Sequence, residues 1–108
     1  MTLTVADTFE NMQTSFNPAA AAGLNKIIQL DLSGEQGGKW AVKIANQACE
    51  LIPGGVDKPD LTLNMSDQDW IALNERRLSP MNAFATGKIK ATGDMMLVMR
   101  IPTLFKMQ

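Results

Sequence analysis

Val5, Phe9, Met12 and Phe16 recur at intervals of four, three and four residues, a spacing that puts them on one face of a helix. Asn17-Pro18 then supplies an N-cap and a first-turn proline for a short helix over residues 19 to 22, which Gly23 ends. From Lys26 to Met65 the period changes to two. Ile28, Leu30 and Leu32 alternate with polar neighbours, as do Trp40, Val42 and Ile44, and Gly34, Gly37 and Gly38 between them predict a hairpin. Asn46-Gln47 predicts a second turn into a strand over 48–52, and a loop over 53–60 leads to a strand over 61–65. Lys39, Lys43, Glu50, Thr62 and Asn64 occupy the alternate positions, so one face of the sheet should be wet and the other covered by helices.

Helical signals return at Ser66-Asp67-Gln68-Asp69, which resembles a capping box opening a helix that holds Trp70, Ile71 and Leu73. Ser79-Pro80 repeats the cap-plus-proline device for a helix with Met81, Phe84 and Ala85 that stops at Gly87. Lys88-Ile89-Lys90-Ala91-Thr92 alternates as a fifth strand, its lysines suited to a sheet edge. Asp94 can cap a last helix over 95–101, which Pro102 is expected to terminate. The pattern predicts an α+β fold.

With 108 residues and 45% hydrophobic content, the sequence reads as a single domain over 1–108. No apolar run approaches the ~20 residues that span a bilayer, and no basic, apolar leader opens the chain, so a cytoplasmic setting is expected. The absence of His and Tyr and the single Cys remove the Ser-His-Asp triad, the Cys-His pair and His-ligated metals from this chain. Cys49 reads as a small core residue. Asp67 and Asp69 are the candidate carboxylates of an enzyme reading, but a first helical turn already accounts for them as dipole partners.

Charge is unevenly placed. Residues 1–72 hold four basic and nine acidic groups, whereas 73–108 hold six basic and two acidic. Arg76, Arg77, Lys88, Lys90, Arg100 and Lys106 could face an anionic head group or a membrane surface met transiently; nucleic acid does not fit the acidic overall balance. The run Met95-Met96-Leu97-Val98-Met99 is apolar on every face of its helix, which calls for a core, a partner or an apolar ligand around it. Methionines repack at low cost and suit a cavity with variable contents.

The stretches Met65-Ser66-Asp67-Gln68-Asp69-Trp70 and Leu78-Ser79-Pro80-Met81-Asn82-Ala83-Phe84-Ala85-Thr86-Gly87-Lys88-Ile89-Lys90-Ala91-Thr92-Gly93-Asp94-Met95 resemble the signature of the sterol carrier protein 2 domain, the nonspecific lipid-transfer family. The similarity extends from about Trp40 to Phe105. The resemblance implies a five-stranded, mostly antiparallel sheet covered on one face by helices. Between them it implies a hydrophobic tunnel for sterols, fatty acids, acyl-CoAs, isoprenoids or phospholipids, with no cofactor and no catalytic residue. On this reading Trp70, Ile71, Met81, Phe84, Met95, Met96, Met99, Leu104 and Phe105 line the tunnel, and Arg76, Arg77 or Arg100 meets an anionic head group. The alternative is a non-catalytic accessory domain of the same fold, monomer or homodimer, that docks a partner or self-associates through its apolar C-terminal segment. The ending Phe105-Lys106-Met107-Gln108 lacks a Ser-Lys-Leu type peroxisomal address.

Overall fold

Thr4 opens the first helix, α1 (Val5–Ser15), through a full capping box: its hydroxyl accepts from the Asp7 N–H at 3.1 Å, and the Asp7 carboxylate accepts from the Thr4 N–H at 3.0 Å. The computed structural model describes residues 4–105, so Lys106 and the last residues of the chain lie outside the description. A 3₁₀ turn (Pro18–Ala21) follows, capped by Asn17, and leads into β1 (Lys26–Ser33), β2 (Gly38–Ala45), β3 (Ala48–Pro53) and β4 (Leu61–Ser66). The remaining elements are α2 (Asp67–Asn74), α3 (Pro80–Ala85), β5 (Lys90–Gly93) and α4 (Met95–Leu104).

The five strands form one sheet in the order β3-β2-β1-β4-β5. Three of the pairings are antiparallel, and β1 runs parallel to β4 with Ile28 opposite Leu61 and Leu30 opposite Leu63. The α+β class, the five-stranded and mostly antiparallel sheet, and the helices packed on one face agree with the sequence pattern. Ile28, Leu30, Leu32, Val42, Ile44 and Leu61 are all buried on the helix-covered face, where Phe9 of α1 and Ile71 of α2 meet them. The other face is not uniformly wet: Gln29 and Ala41 are buried there, and the Gln29 carboxamide oxygen accepts from the Val56 N–H at 2.8 Å. The loop over 54–60 is thereby tied to that face.

The aromatic centre of the core is a three-ring stack. Phe9 lies between Trp40, at 4.7 Å between centroids, and Trp70, at 5.4 Å. The Trp70 indole N–H donates to the Thr8 hydroxyl at 2.6 Å, and that hydroxyl donates to the Val5 carbonyl at 2.6 Å. Thr8→Val keeps the shape and removes the acceptor, leaving a buried indole N–H unpaired. Denaturant unfolding should register a loss of about 1–3 kcal/mol.

Two local expectations are corrected. The reciprocal capping box forms at Thr4–Asp7. At Ser66 the hydroxyl accepts from the Asp69 N–H, while Asp67 is buried and turns its carboxylate to the N–H groups of Gln36 and Gln68. The last helix also runs through Pro102 to Leu104. Tertiary anchoring outweighs the proline there. Leu104 and Phe105 are wholly buried, the Asn17 N–H donates to the Leu104 carbonyl at 2.8 Å, and Phe105 packs on Phe16 at 5.6 Å.

Candidate functional site

Between the inner face of β4 and the helices lies a cavity of about 790 Å³. Its walls grade from apolar and buried to polar and exposed. Leu63 and Met65, on alternate positions of β4, point inward because a strand sends every second side chain to the same face. Met12 from α1, Trp70 and Leu73 from α2, Ile89, and Phe105 complete the buried part. Leu78, Val98 and Ile101 are half-buried. Asn11, Arg76, Arg77, Ser79, Asn82 and Phe84 are exposed, and they mark where the cavity opens to solvent.

The segment after α2 shapes this opening. Its backbone turns at Arg76, whose φ of 63° lies in the left-handed region that a side chain with a Cβ seldom adopts. The Arg77 N–H donates to the Ala72 carbonyl at 2.8 Å, which folds the chain back on the helix end. The Arg77 guanidinium is engaged by Glu75, with Nε at 2.9 Å and Nη2 at 2.6 Å from one carboxylate oxygen. No hydrogen bond or ion pair among the described residues occupies the Arg76 guanidinium. A strained, exposed cation beside an apolar chamber is suited to meeting an anion there.

The position of α4 sets the opposite wall. Asp94 caps it, accepting from the Met96 N–H at 3.1 Å and the Leu97 N–H at 3.4 Å. The Asp94 N–H donates to the Asp60 carbonyl, the Asp60 N–H to the Ile27 carbonyl, and the Ile27 N–H to the Asp60 carboxylate, so three strand ends and the helix meet in one knot. Lys26 stands 3.3 Å from the Asp94 carboxylate, and its hydrogen bond is the main cause that holds this carboxyl below its usual 3.8. A lowered folded pKa stabilises the fold above the unfolded pKa and ceases to do so as pH falls through the folded one. Asp94→Asn should therefore unfold more readily than the parent at pH 7, with the two unfolding curves converging in strong acid. Thermal melts at stepped pH check this.

Of the residues expected to line a tunnel, Trp70, Phe84 and Phe105 line the cavity, as do Arg76 and Arg77. Ile71 and Leu104 are buried in the core outside the lining. Met81, Met95, Met96 and Met99 are exposed on the outer sides of α3 and α4. Arg100 lies away from the opening and donates to the Ala20 carbonyl at 3.1 Å. The lining residues that sequence reasoning missed include Met12, Leu63, Met65, Val98 and Ile101. The signal for Met12, Leu63 and Met65 was present in the same periodic positions that built the helix and the strand. Cys49 is half-buried on β3, and burial pushes its thiol up to about 11.

The fold and its chamber define a class: an α+β domain whose sheet and helices enclose a half-open apolar cavity with a polar mouth. A model of the SCP-2 sterol transfer family matches residues 9–106, and the chain belongs to that family. Hydroxysteroid dehydrogenase-like protein 2 of Bos taurus is 29% identical over 101 residues, covering 93% of this chain and 24% of its own. Sterol carrier protein 2 of Homo sapiens is 38% identical over 71 residues, 63% of this chain and 13% of its own. The chain thus spans a quarter or less of the length of these curated relatives. Among solved structures, palmitated SCP2L2 from Aedes aegypti superposes with a TM-score of 0.76 at 22% identity, covering 94% of this chain and 93% of that one. The stereoselective inverting sec-alkylsulfatase Pisa1 from Pseudomonas sp. gives 0.80 at 18% identity, covering 95% of this chain and 16% of that one. These two likenesses concern the fold.

Proposed function

We propose that the chain binds and transfers an apolar lipid, holding its hydrocarbon body against Leu63, Met65, Leu73 and Ile89 and its polar end at the Arg76 side of the mouth. The observation that carries this reading is the half-open cavity of about 790 Å³ with its gradient from buried apolar floor to exposed polar rim. Such a volume lies within the ~300–1,000 Å³ of ligand pockets. Each methylene drawn into it contributes roughly 0.8 kcal/mol, so about eight offset much of the cost of immobilising the ligand. Membership of the SCP-2 sterol transfer family and the fold likeness to a palmitated protein support the same reading.

The proposed role is non-catalytic. Among the described residues the lining holds no carboxylate, thiol or amine, and its hydroxyls, on Ser15 and Ser79, have no base beside them. The sulfatase shares this fold over a minor part of its own chain, and the proposal gives this chain no part in such chemistry. Native mass spectrometry of the purified protein with palmitate, a phospholipid and a sterol tests the assignment. A one-to-one complex with at least one of them is the expected result; failure to retain any overturns it.

A further inference from the structure

Two helices of this protein end on the same backbone motif. After α3 the Lys88 N–H donates to the Ala83 carbonyl at 2.8 Å and the Gly87 N–H to the Phe84 carbonyl at 3.2 Å, with Gly87 at a φ of 78°. After α2 the Arg77 N–H donates to the Ala72 carbonyl at 2.8 Å and the Arg76 N–H to the Leu73 carbonyl at 3.2 Å, with Arg76 at a φ of 63°. Both are Schellman endings, in which the residue past the cap turns left-handed and the last carbonyls are satisfied. Glycine takes that turn without steric cost, and α3 uses it. At the same position α2 carries an arginine. The other two non-glycine residues with positive φ among the described residues, Asn46 and Gln47, form the two-residue turn between β2 and β3, which calls for that geometry at both positions. Arg76 has no hairpin to explain it, and strain of this kind collects where a side chain has a task.

The turn sets a cation with no protein partner on the cavity lining. Arg76 is exposed at the mouth, and no hydrogen bond or ion pair among the described residues engages its guanidinium. Two other arginines are committed elsewhere, Arg77 to Glu75 at 2.6 Å and Arg100 to the Ala20 carbonyl at 3.1 Å. The lining holds no carboxylate that would compete for Arg76, and the rest of its exposed rim includes Asn11, Ser79 and Asn82, which hydrogen-bond without adding charge. Ser79 stands at the N-cap of α3, yet its hydroxyl makes no capping bond. We infer that Arg76 is a selectivity residue: its strained seat holds a guanidinium at the mouth so that the cavity takes amphiphiles with a compact anionic head, a carboxylate or a phosphate monoester, in preference to neutral amphiphiles of the same chain length. A guanidinium fork offers two parallel N–H bonds to either anion and only a weaker neutral bond to an alcohol.

The inference rests on the carrier reading and adds to it a rule for the head group. Titration calorimetry of the full chain with palmitate, monohexadecyl phosphate and hexadecanol, three heads on one chain length, tests it. The parent should prefer at least one of the two anions to the alcohol by about tenfold, and added salt should narrow the gap. Which anion is favoured separates a fatty acid from a phosphorylated lipid. Arg76→Gly should lose that preference while keeping the parent's affinity for hexadecanol, and it should melt about 5 °C higher, because the left-handed strain is relieved. Arg76→Lys keeps the charge without the fork and should fall between the two. An anion-to-alcohol ratio in Arg76→Gly equal to the parent's, or a parent with no preference, would overturn the inference and leave the carrier reading standing. A lower melting temperature for Arg76→Gly would show that the arginine holds the fold at that place, and would overturn it as well. Failure of the parent to bind all three would strike the carrier reading itself, and this inference with it.

Discussion

Val98→Glu is expected to lower affinity for a fatty acid by about ten- to a hundredfold, whereas Met99→Glu, one residue along, leaves that affinity near the parent value. The contrast follows from the helix. Val98 is half-buried and lines the cavity, while Met99 is exposed on the outer side of the same turn. A carboxylate at position 98 must either remain charged beside Leu78, Ile89 and Ile101 or take up a proton. In both cases the chamber wall becomes polar where the hydrocarbon would lie. Each tenfold step corresponds to about 1.4 kcal/mol, which a partly desolvated carboxyl readily exceeds. Titration calorimetry with palmitate checks the ratio, and circular dichroism shows that the helix content of both variants matches the parent. Equal affinities for Val98→Glu and the parent would remove the cavity from the binding mechanism.

Gly93→Ala should be the most destabilising single substitution in the hinge before α4. The Gly93 φ of 116° belongs to the region open to glycine, and an added Cβ would run into the backbone carbonyl of Asp60. That carbonyl has no freedom to withdraw, because it accepts the Asp94 N–H while the Asp60 N–H and carboxylate hold Ile27. Strain together with a displaced knot amounts to roughly 3 kcal/mol, equivalent to about 10–20 °C in Tm for a domain of this size. Gly54→Ala is the matching control: its φ of 90° is also positive, but no atom lies within 4 Å of the added Cβ. A melt in which both variants lose the same amount would show that φ alone, and not the collision, sets the cost.

Most of the fold was legible because the chain changes period cleanly. Alternation through Ile28, Leu30 and Leu32 and through Trp40, Val42 and Ile44 marks the strands, and Ser66 and Asp94 both act as the caps their positions predict. The parallel pairing of β1 with β4 is different in kind, since no local pattern specifies which strands become neighbours. Pro102 misled because a local helix breaker was overruled by anchoring at Leu104 and Phe105.

The cavity was harder to read than the sheet. In the last helix every position from 95 to 99 is apolar, so periodicity could not tell the inward face from the outward one. The structure separates them by shape: the branched side chains Leu97, Val98, Ile101 and Leu104 turn inward, while the straight Met95, Met96 and Met99 stay outside. Arg76 illustrates a second limit. Its charge is visible in the sequence, but the left-handed backbone that sets it at the mouth depends on how the chain leaves α2.

The Trp70 ring also gives the protein a built-in optical reporter. One indole borders the chamber with its N–H fixed on Thr8, while the other, Trp40, lies across Phe9 and outside the lining. A guest entering the chamber changes the surroundings of one chromophore and leaves the second as an internal reference, so occupancy can be followed by intrinsic emission without any dye.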